Sequence, residues 1–213
     1  MIISHLHKFI FIHIRKCAGT SITESLLPFL GQDDLVIGCT PQGELLENSG
    51  RKNGGLYKHS KAVEIKKLIG PSIWDSYFKF TFIRNPWDLL VSKYHWALKT
   101  SWDNENGYTS TIKGLDDFEG YVLSPLCNKI NCIDFILLEQ GDYNVDYIGR
   151  YETLDKDFSL LCKKLNLPKT KLKKINASLH THYKNYYNPL TRELVAEWFE
   201  KDITEFNYSF NNQ

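Results

Sequence analysis

The stretch FIHIRKCAGTSITESLL, from Phe11 to Leu27, carries an apolar run into a basic pair, past one glycine and two hydroxyl residues, and on into a helical pattern. A strand that hands its chain directly to a helix leaves the helix's first backbone N–H groups without intrahelical partners. The helix dipole makes the same spot attractive to anions. Arg15 and Lys16 add charge at the mouth of this turn, Gly19 allows close backbone approach, and Thr20 and Ser21 offer hydroxyl donors. This is phosphate-site chemistry. It is not a Walker A loop, which places its lysine after a second glycine, whereas Lys16 precedes Gly19.

A second turn repeats the arrangement. In FTFIRNPWDLLVSKY, Phe80 to Tyr94, Arg84 leaves an apolar, β-rich run just as Asn85 (N-cap), Pro86 (N1) and Asp88 (N3) supply the chemistry that starts a helix. Ser92 follows on the order of 10 Å along that helix at the usual rise per residue. An arginine folded back along the helix could meet it across one phosphate. The plain alternative is a local salt bridge at Arg84 and an ordinary helical serine.

Working outward, strands and helices alternate. KFIFIHI (8–14) reads as a strand, Thr20 to Leu30 as a helix, and YFKFTFI (77–83) as a second strand. SKAVEIKKLIG reads as a helix with Ser60 at its N-cap and Gly70 as its stop. CIDFILL and DYIGRY are short strand candidates. LDKDFSLLCKKL is an amphipathic helix with Phe158, Leu161, Cys162 and Leu165 on one face, and TRELVAEWFEKDI is a closing helix. GCTPQGELLENSGRKNGG and TSWDNENGYTSTIKG read as long loops. The expectation is an α/β fold, one domain over 1–213, with a mainly parallel central sheet flanked by helices. Ligands in such folds sit beyond the carboxyl ends of the strands.

Composition bounds the function. The 42% hydrophobic content supports one substantial core, and 26 basic against 25 acidic side chains leave no global field to draw the chain to nucleic acid or membrane. The opening MIISHLHKFIFIHIRK is apolar but broken by His5, His7, Lys8 and His13, so it reads as a buried strand rather than a signal sequence or membrane span. The lysine run between Lys163 and Lys174 has two readings, a solvated helix end or the footprint of an anionic polymer. Five cysteines in no zinc-type pattern argue for reduced thiols and a cytoplasmic protein, with a Cys127–Cys132 disulfide left open. Nothing in the sequence sets an oligomeric state.

Together the two turns resemble the sulfotransferases that use 3′-phosphoadenosine 5′-phosphosulfate (PAPS), particularly the carbohydrate-modifying branch that includes heparan and chondroitin O-sulfotransferases. HIRKCAGTSI resembles that family's 5′-phosphosulfate loop, usually I-P-K-x-x-G-T-S, and FIRNPWDLLVSKY resembles its 3′-phosphate motif. The departures are Arg15 where proline is usual, and a leucine where a basic residue commonly follows the Asn-Pro pair. The resemblance implies a P-loop-like fold and sulfuryl transfer to an acceptor hydroxyl on a saccharide or glycosylated small molecule, with no metal required. It implies that Arg15, Lys16, Cys17, Ala18, Gly19, Thr20 and Ser21 cradle the 5′-phosphosulfate, with Lys16 catalytic, and that Arg84 and Ser92 hold the 3′-phosphate. His59, in the family's order relative to both motifs, is the candidate base, with a structural hydrogen bond at the helix start as its alternative and Glu64 as the fallback base.

Other residues keep several readings. His180 and His182, with Lys184 nearby, fit a metal pair, an anion-closing loop or plain surface. Glu152 fits a helix cap or a catalytic carboxylate, and Trp102 and Tyr108, before Lys113, fit sugar stacking or packing under a loop. Competing functions are a nucleotide or small-molecule kinase and a non-catalytic nucleotide-binding protein.

Overall fold

The computed structural model of the chain describes residues 1–52, 54–100, 107–139, 141–173, 175 and 181–211. Two compact units divide it, Met1–Ile83 with Cys132–Asn176, and Arg84–Asn131 with Ala177–Gln213. The strands are β1 (Ile2–Ser4), β2 (Phe9–Ile12), β3 (Leu35–Val36), β4 (Phe78–Ile83) and β5 (Tyr147–Arg150). The helices are α1 (Gly19–Leu26), α2 (Pro41–Lys52), α3 (Ala62–Ile69), α4 (Pro71–Ser76), α5 (Pro86–Lys99), α6 (Tyr108–Lys113), α7 (Phe118–Leu123), α8 (Leu154–Lys164), α9 (Pro189–Trp198) and α10 (Glu200–Phe206).

The first unit is built on one sheet with strand order β3-β1-β2-β4-β5. β4 pairs in parallel with β2 and with β5, while β1 runs antiparallel to both β2 and β3. The sheet is therefore parallel through β2, β4 and β5 and antiparallel beyond them. The opening run, expected as a single strand over 8–14, is a hairpin instead. The chain turns back between Ser4 and Phe9, with Lys8 in the left-handed conformation (φ 51°). Both strands are buried throughout, so no polar alternation marks the turn in the sequence.

Pairing of β2 with β4 fills the core. Phe11 lies opposite Phe80, their rings stacked with centroids 5.0 Å apart, and the Thr81 hydroxyl donates to the Ile12 carbonyl at 2.7 Å. The parallel register puts the carboxyl ends of these strands side by side at one edge of the sheet, where β2 gives way to residues 13–18 and α1.

Local differences from the sequence reading have identifiable causes. The first long loop contains α2, started by Thr40, whose hydroxyl accepts from the Gly43 N–H at 2.9 Å. Gly43 and Gly50, which read as loop signals, are close-approach points: a Cβ would sit 2.5 Å from the Gly38 carbonyl oxygen and 2.2 Å from that of Leu56. CIDFILL forms a 3-10 turn over Ile133–Phe135 rather than a strand, with Leu137 bridging to Tyr143. The helix over 20–30 ends at Leu26 in a 3-10 turn that includes Pro28. α3 is capped at Lys61, one residue past the expected Ser60, and stops at Gly70 as expected.

In the second unit, α5 starts where its sequence says. The Asn85 side chain accepts from the Trp87 N–H at 3.1 Å, followed by Pro86 at N1, and its amide donates to the Ser209 carbonyl at 3.0 Å. Part of the second long loop is α6, and the closing helix is split at the buried Phe199 into α9 and α10. An aromatic cluster packs this unit, with Phe118 edge-on to Tyr187 at 5.0 Å and Phe210 edge-on to Trp87 at 5.5 Å. Loss of the cap in Asn85→Ala is expected to lower stability by about 1–2 kcal/mol in urea denaturation, with Asn85→Ser recovering part of it. An unchanged midpoint would mean that the Asn85 hydrogen bonds do not support α5.

Candidate active site

In the first unit, the turn after β2 is strained where the sequence places the anion loop. Lys16 (φ 64°) and Ala18 (φ 61°) are both left-handed, a conformation that disfavours side chains and clusters at functional sites. Left-handed residues in such turns aim successive N–H groups into a common concavity. Ala18 is the N-cap of α1 and gives it no side-chain hydrogen bond. A helix start without a capping side chain leaves donors for an anion to take.

The loop's side chains divide by direction. Arg15 is exposed and Lys16 half-buried, whereas Cys17 is buried, its Sγ 3.5 Å from the Arg15 carbonyl and 4.0 Å from the Cys132 Sγ. Cys17 therefore offers the loop its backbone. Cys17, Cys39, Cys127, Cys132 and Cys162 are all free thiols. The Thr20 hydroxyl has the Cys39 Sγ at 4.0 Å. Ser21 is otherwise engaged, since its hydroxyl donates to the Ile175 carbonyl at 3.2 Å and accepts from the Ile175 N–H at 3.1 Å. With the Ser25 hydroxyl, which accepts from the Lys173 N–H at 2.8 Å, it fastens the segment after α8 along α1.

Gly19 is required sterically. A Cβ there would lie 1.9 Å from Nε2 of His13, whose ring fills that space. His13 is buried, stacks on Phe11 at 5.5 Å, and meets the His59 ring edge-to-face at 4.8 Å. Its carbonyl lies 2.7 Å from Nδ1 of His59. A carbonyl only accepts, so Nδ1 of His59 carries the proton and the basic lone pair of the neutral ring is on Nε2. Burial, with the nearby positive charges of Arg15, Lys58 and the Met1 amino group, outweighs that hydrogen bond and lowers the His59 pKa to about 3. Burial likewise pushes His13 well below the ordinary histidine value. Glu64, the fallback base, caps α3 by accepting from the Lys61 N–H at 2.7 Å. Sequence reasoning missed His13 and Lys58. The need for glycine at position 19 was the one signal pointing to the first.

In the second unit, Arg84 is 4% exposed, and its Nε donates to the Asp88 carboxylate at 2.7 Å. The local salt bridge allowed by the sequence is present. Ser92 is 2% exposed. An arginine at the helix start and this serine along it suit a phosphate.

The remaining candidates are placed more plainly. Near Glu152, the carboxylate that organises the start of α8 is Asp157, which accepts from the Arg150 N–H and the Thr153 hydroxyl, each at 2.8 Å. Nδ1 of His182 accepts from the Lys184 N–H at 3.3 Å, and Nζ of Lys184 donates to the Asn211 carbonyl at 3.4 Å. The Tyr108 hydroxyl lies 3.5 Å from that of Tyr121, and Lys113 bonds the Thr100 carbonyl. Trp102, Lys174 and His180 lie outside the described residues. Among the described residues, no group of His, Cys, Asp and Glu has a metal-holding arrangement, and no helix is long and apolar enough to cross a membrane.

Comparison with known proteins extends the likeness beyond the two turns. Carbohydrate sulfotransferase 12 of Xenopus laevis is 24% identical over 268 aligned residues, covering 98% of this chain and 60% of that protein, so the chain spans about 60% of that relative's length. An uncharacterized protein of Archaeoglobus fulgidus is 25% identical over 120 residues, 56% of this chain and 93% of its own length. The model of the sulfotransferase family matches residues 1–209, from β1 through both turns to α10, and the chain belongs to that family.

Proposed function

We propose that the chain is a PAPS-dependent O-sulfotransferase of P-loop-like fold, acting in the cytoplasm on a hydroxyl of a saccharide or glycosylated molecule. The observation that carries this reading is the turn from Lys16 to Gly19, a strained, uncapped helix start with a lysine at its mouth, in a chain of the sulfotransferase family. Bound PAPS supplies an activated sulfuryl group on a phosphate leaving group.

The chain's residues do the rest by position and charge. Lys16 and the N-terminus of α1 stabilise negative charge on the departing 5′-phosphate oxygen. Arg84 and Ser92 hold the 3′-phosphate, the group that separates this nucleotide from ATP. Nε2 of His59 takes the acceptor's hydroxyl proton as that oxygen bonds to sulfur and the bond to the 5′-phosphate breaks. A histidine among cations is a weak base in the free chain, and anionic charge at the loop raises its affinity for that proton.

The direct test is transfer of radiolabelled sulfate from PAPS to a panel of saccharides, lipids and phenols. No transfer to any of them, with stabilisation by ATP and magnesium instead, would favour a kinase. The product nucleotide 3′-phosphoadenosine 5′-phosphate should raise the melting temperature by ligand linkage, and ATP far less. Arg84→Ala should weaken its binding by about 1.5–3 kcal/mol in titration calorimetry, and lysine should restore only part, because the guanidinium fork is lost. Unchanged affinity would remove Arg84 from the site.

Lys16→Ala is expected to lower turnover much more than donor affinity, since its contact strengthens as charge develops. A rise in the donor's Michaelis constant alone would make Lys16 a ground-state binder. For His59, histidine NMR titration should find a neutral ring from pH 8 down to pH 5 in the free chain. Protonation should set in only near its lowered value of about 3. The nucleotide should move this midpoint upward, because an anion favours the imidazolium. A midpoint near 6.5, indifferent to nucleotide, would contradict both the burial of His59 and its place beside the anion.

A further inference from the structure

Three features of the first unit converge on His13, a residue the reaction itself does not use. Its carbonyl fixes the His59 tautomer through the 2.7 Å hydrogen bond to Nδ1. Its ring packs edge-to-face with that of His59, with centroids 4.8 Å apart. The far edge of the same ring occupies the space in front of the Gly19 Cα, where a methyl would fall 1.9 Å from Nε2 and 2.0 Å from Cδ2. Stacked on Phe11 and 3% exposed, the ring cannot readily swing aside.

We infer that His13 is a positioning residue that sets the anion loop and the base His59 against one another, so that a displacement of the loop at Gly19 is felt at His59. This rests on the reading of His59 as the base and of the loop as the donor's seat. The side chain acts by shape, as a wedge between Gly19 and His59, and the backbone carbonyl acts by polarity, by choosing which nitrogen of His59 faces outward. A histidine suits the place because its flat ring fits between an α-carbon and a second ring. The groups whose charges reach His59 are Arg15, Lys58 and the Met1 amino group.

The experiment uses the full chain and four proteins: wild type, Gly19→Ala, His13→Ala and the double variant. Affinity for 3′-phosphoadenosine 5′-phosphate is read by calorimetry. The His59 tautomer and titration are read by long-range ¹H–¹⁵N NMR, with the His59 signal identified by its loss in His59→Gln. Gly19→Ala should weaken nucleotide binding at least tenfold and also shift the His59 signal, though His59 lies far along the chain. With the ring gone, the methyl has room, so Gly19→Ala should change affinity less than twofold in the His13→Ala background. In His13→Ala itself, His59 should titrate at least one pH unit closer to the ordinary histidine value as water gains access to its ring.

Equal losses from Gly19→Ala in both backgrounds, or a His59 signal that ignores both substitutions, would overturn the inference. If Gly19→Ala does not fold, a folded double variant melting close to His13→Ala supports the wedge, and an unfolded one counts against it. His13→Val, which refills volume without reaching Gly19, replaces His13→Ala should that protein not fold. A wild type that fails to bind the nucleotide would sink the donor reading instead, while the His59 signal still reports whether His13 couples it to Gly19.

Discussion

The parallel pairing of β2 with β4 is the constraint from which the first unit's chemistry follows. Phe11 stacked on Phe80, and the Thr81 hydroxyl bonded to the Ile12 carbonyl, hold the strands in one register. That register brings the ends of two strands to the same edge of the sheet. Each strand there gives its chain to a helix within a few residues, one through His13 to Ala18 and the other through Arg84 and Asn85.

At the first of these turns, the chain gives up local stability. Two non-glycine residues in the left-handed region cost on the order of 1–2 kcal/mol each, and the uncapped start of α1 forgoes about another 1 kcal/mol. Burial around the loop offsets such strain. Cys17 tucks beneath it against Cys132, the His13 ring fills the space before Gly19, and the Ser21 and Ser25 hydroxyls pin the segment after α8 along α1. Strain held in place by packing is prepared for a ligand that relieves it, because an anion satisfies N–H groups that no side chain serves.

How much of this could be read from the sequence depended on how far apart the interacting residues stand. The start of α5 was legible residue by residue, since Asn85, Pro86 and Asp88 act within one turn. The two strand-to-helix junctions, at Lys16–Gly19 and at Arg84–Asn85, were legible for the same reason. The N-terminal hairpin was hidden because β1 and β2 are buried on both faces, which removes the alternation that separates one strand from the next. α2 was hidden because Gly43 and Gly50, placed there for close backbone approach, look like loop residues. The split at Phe199 lies within a continuous apolar face, so periodicity alone ran the two helices together. The His13 pairing with His59 was out of reach, since 46 residues separate the two, and so was the Ser21 bond to Ile175, 154 residues away.

The two turns, alike in sequence, start their helices in different ways. At α1 the cap is an alanine, and no side chain caps the helix start. At α5 the helix start is closed: Asn85 takes the Trp87 N–H with its side chain and the Leu89 N–H with its carbonyl, Pro86 has no N–H to give, and Asp88 already answers the dipole with a negative charge. Little donor capacity remains in that backbone, so any anion near α5 must be met by side chains. Arg84 and Ser92, both buried, are the side chains proposed to meet it. On the proposed reading, the first turn would meet an oxygen whose charge grows during a reaction, because rigid backbone dipoles need not reorganise. On the same reading, the second would meet a charge that is constant throughout, where a guanidinium fork gives direction and affinity.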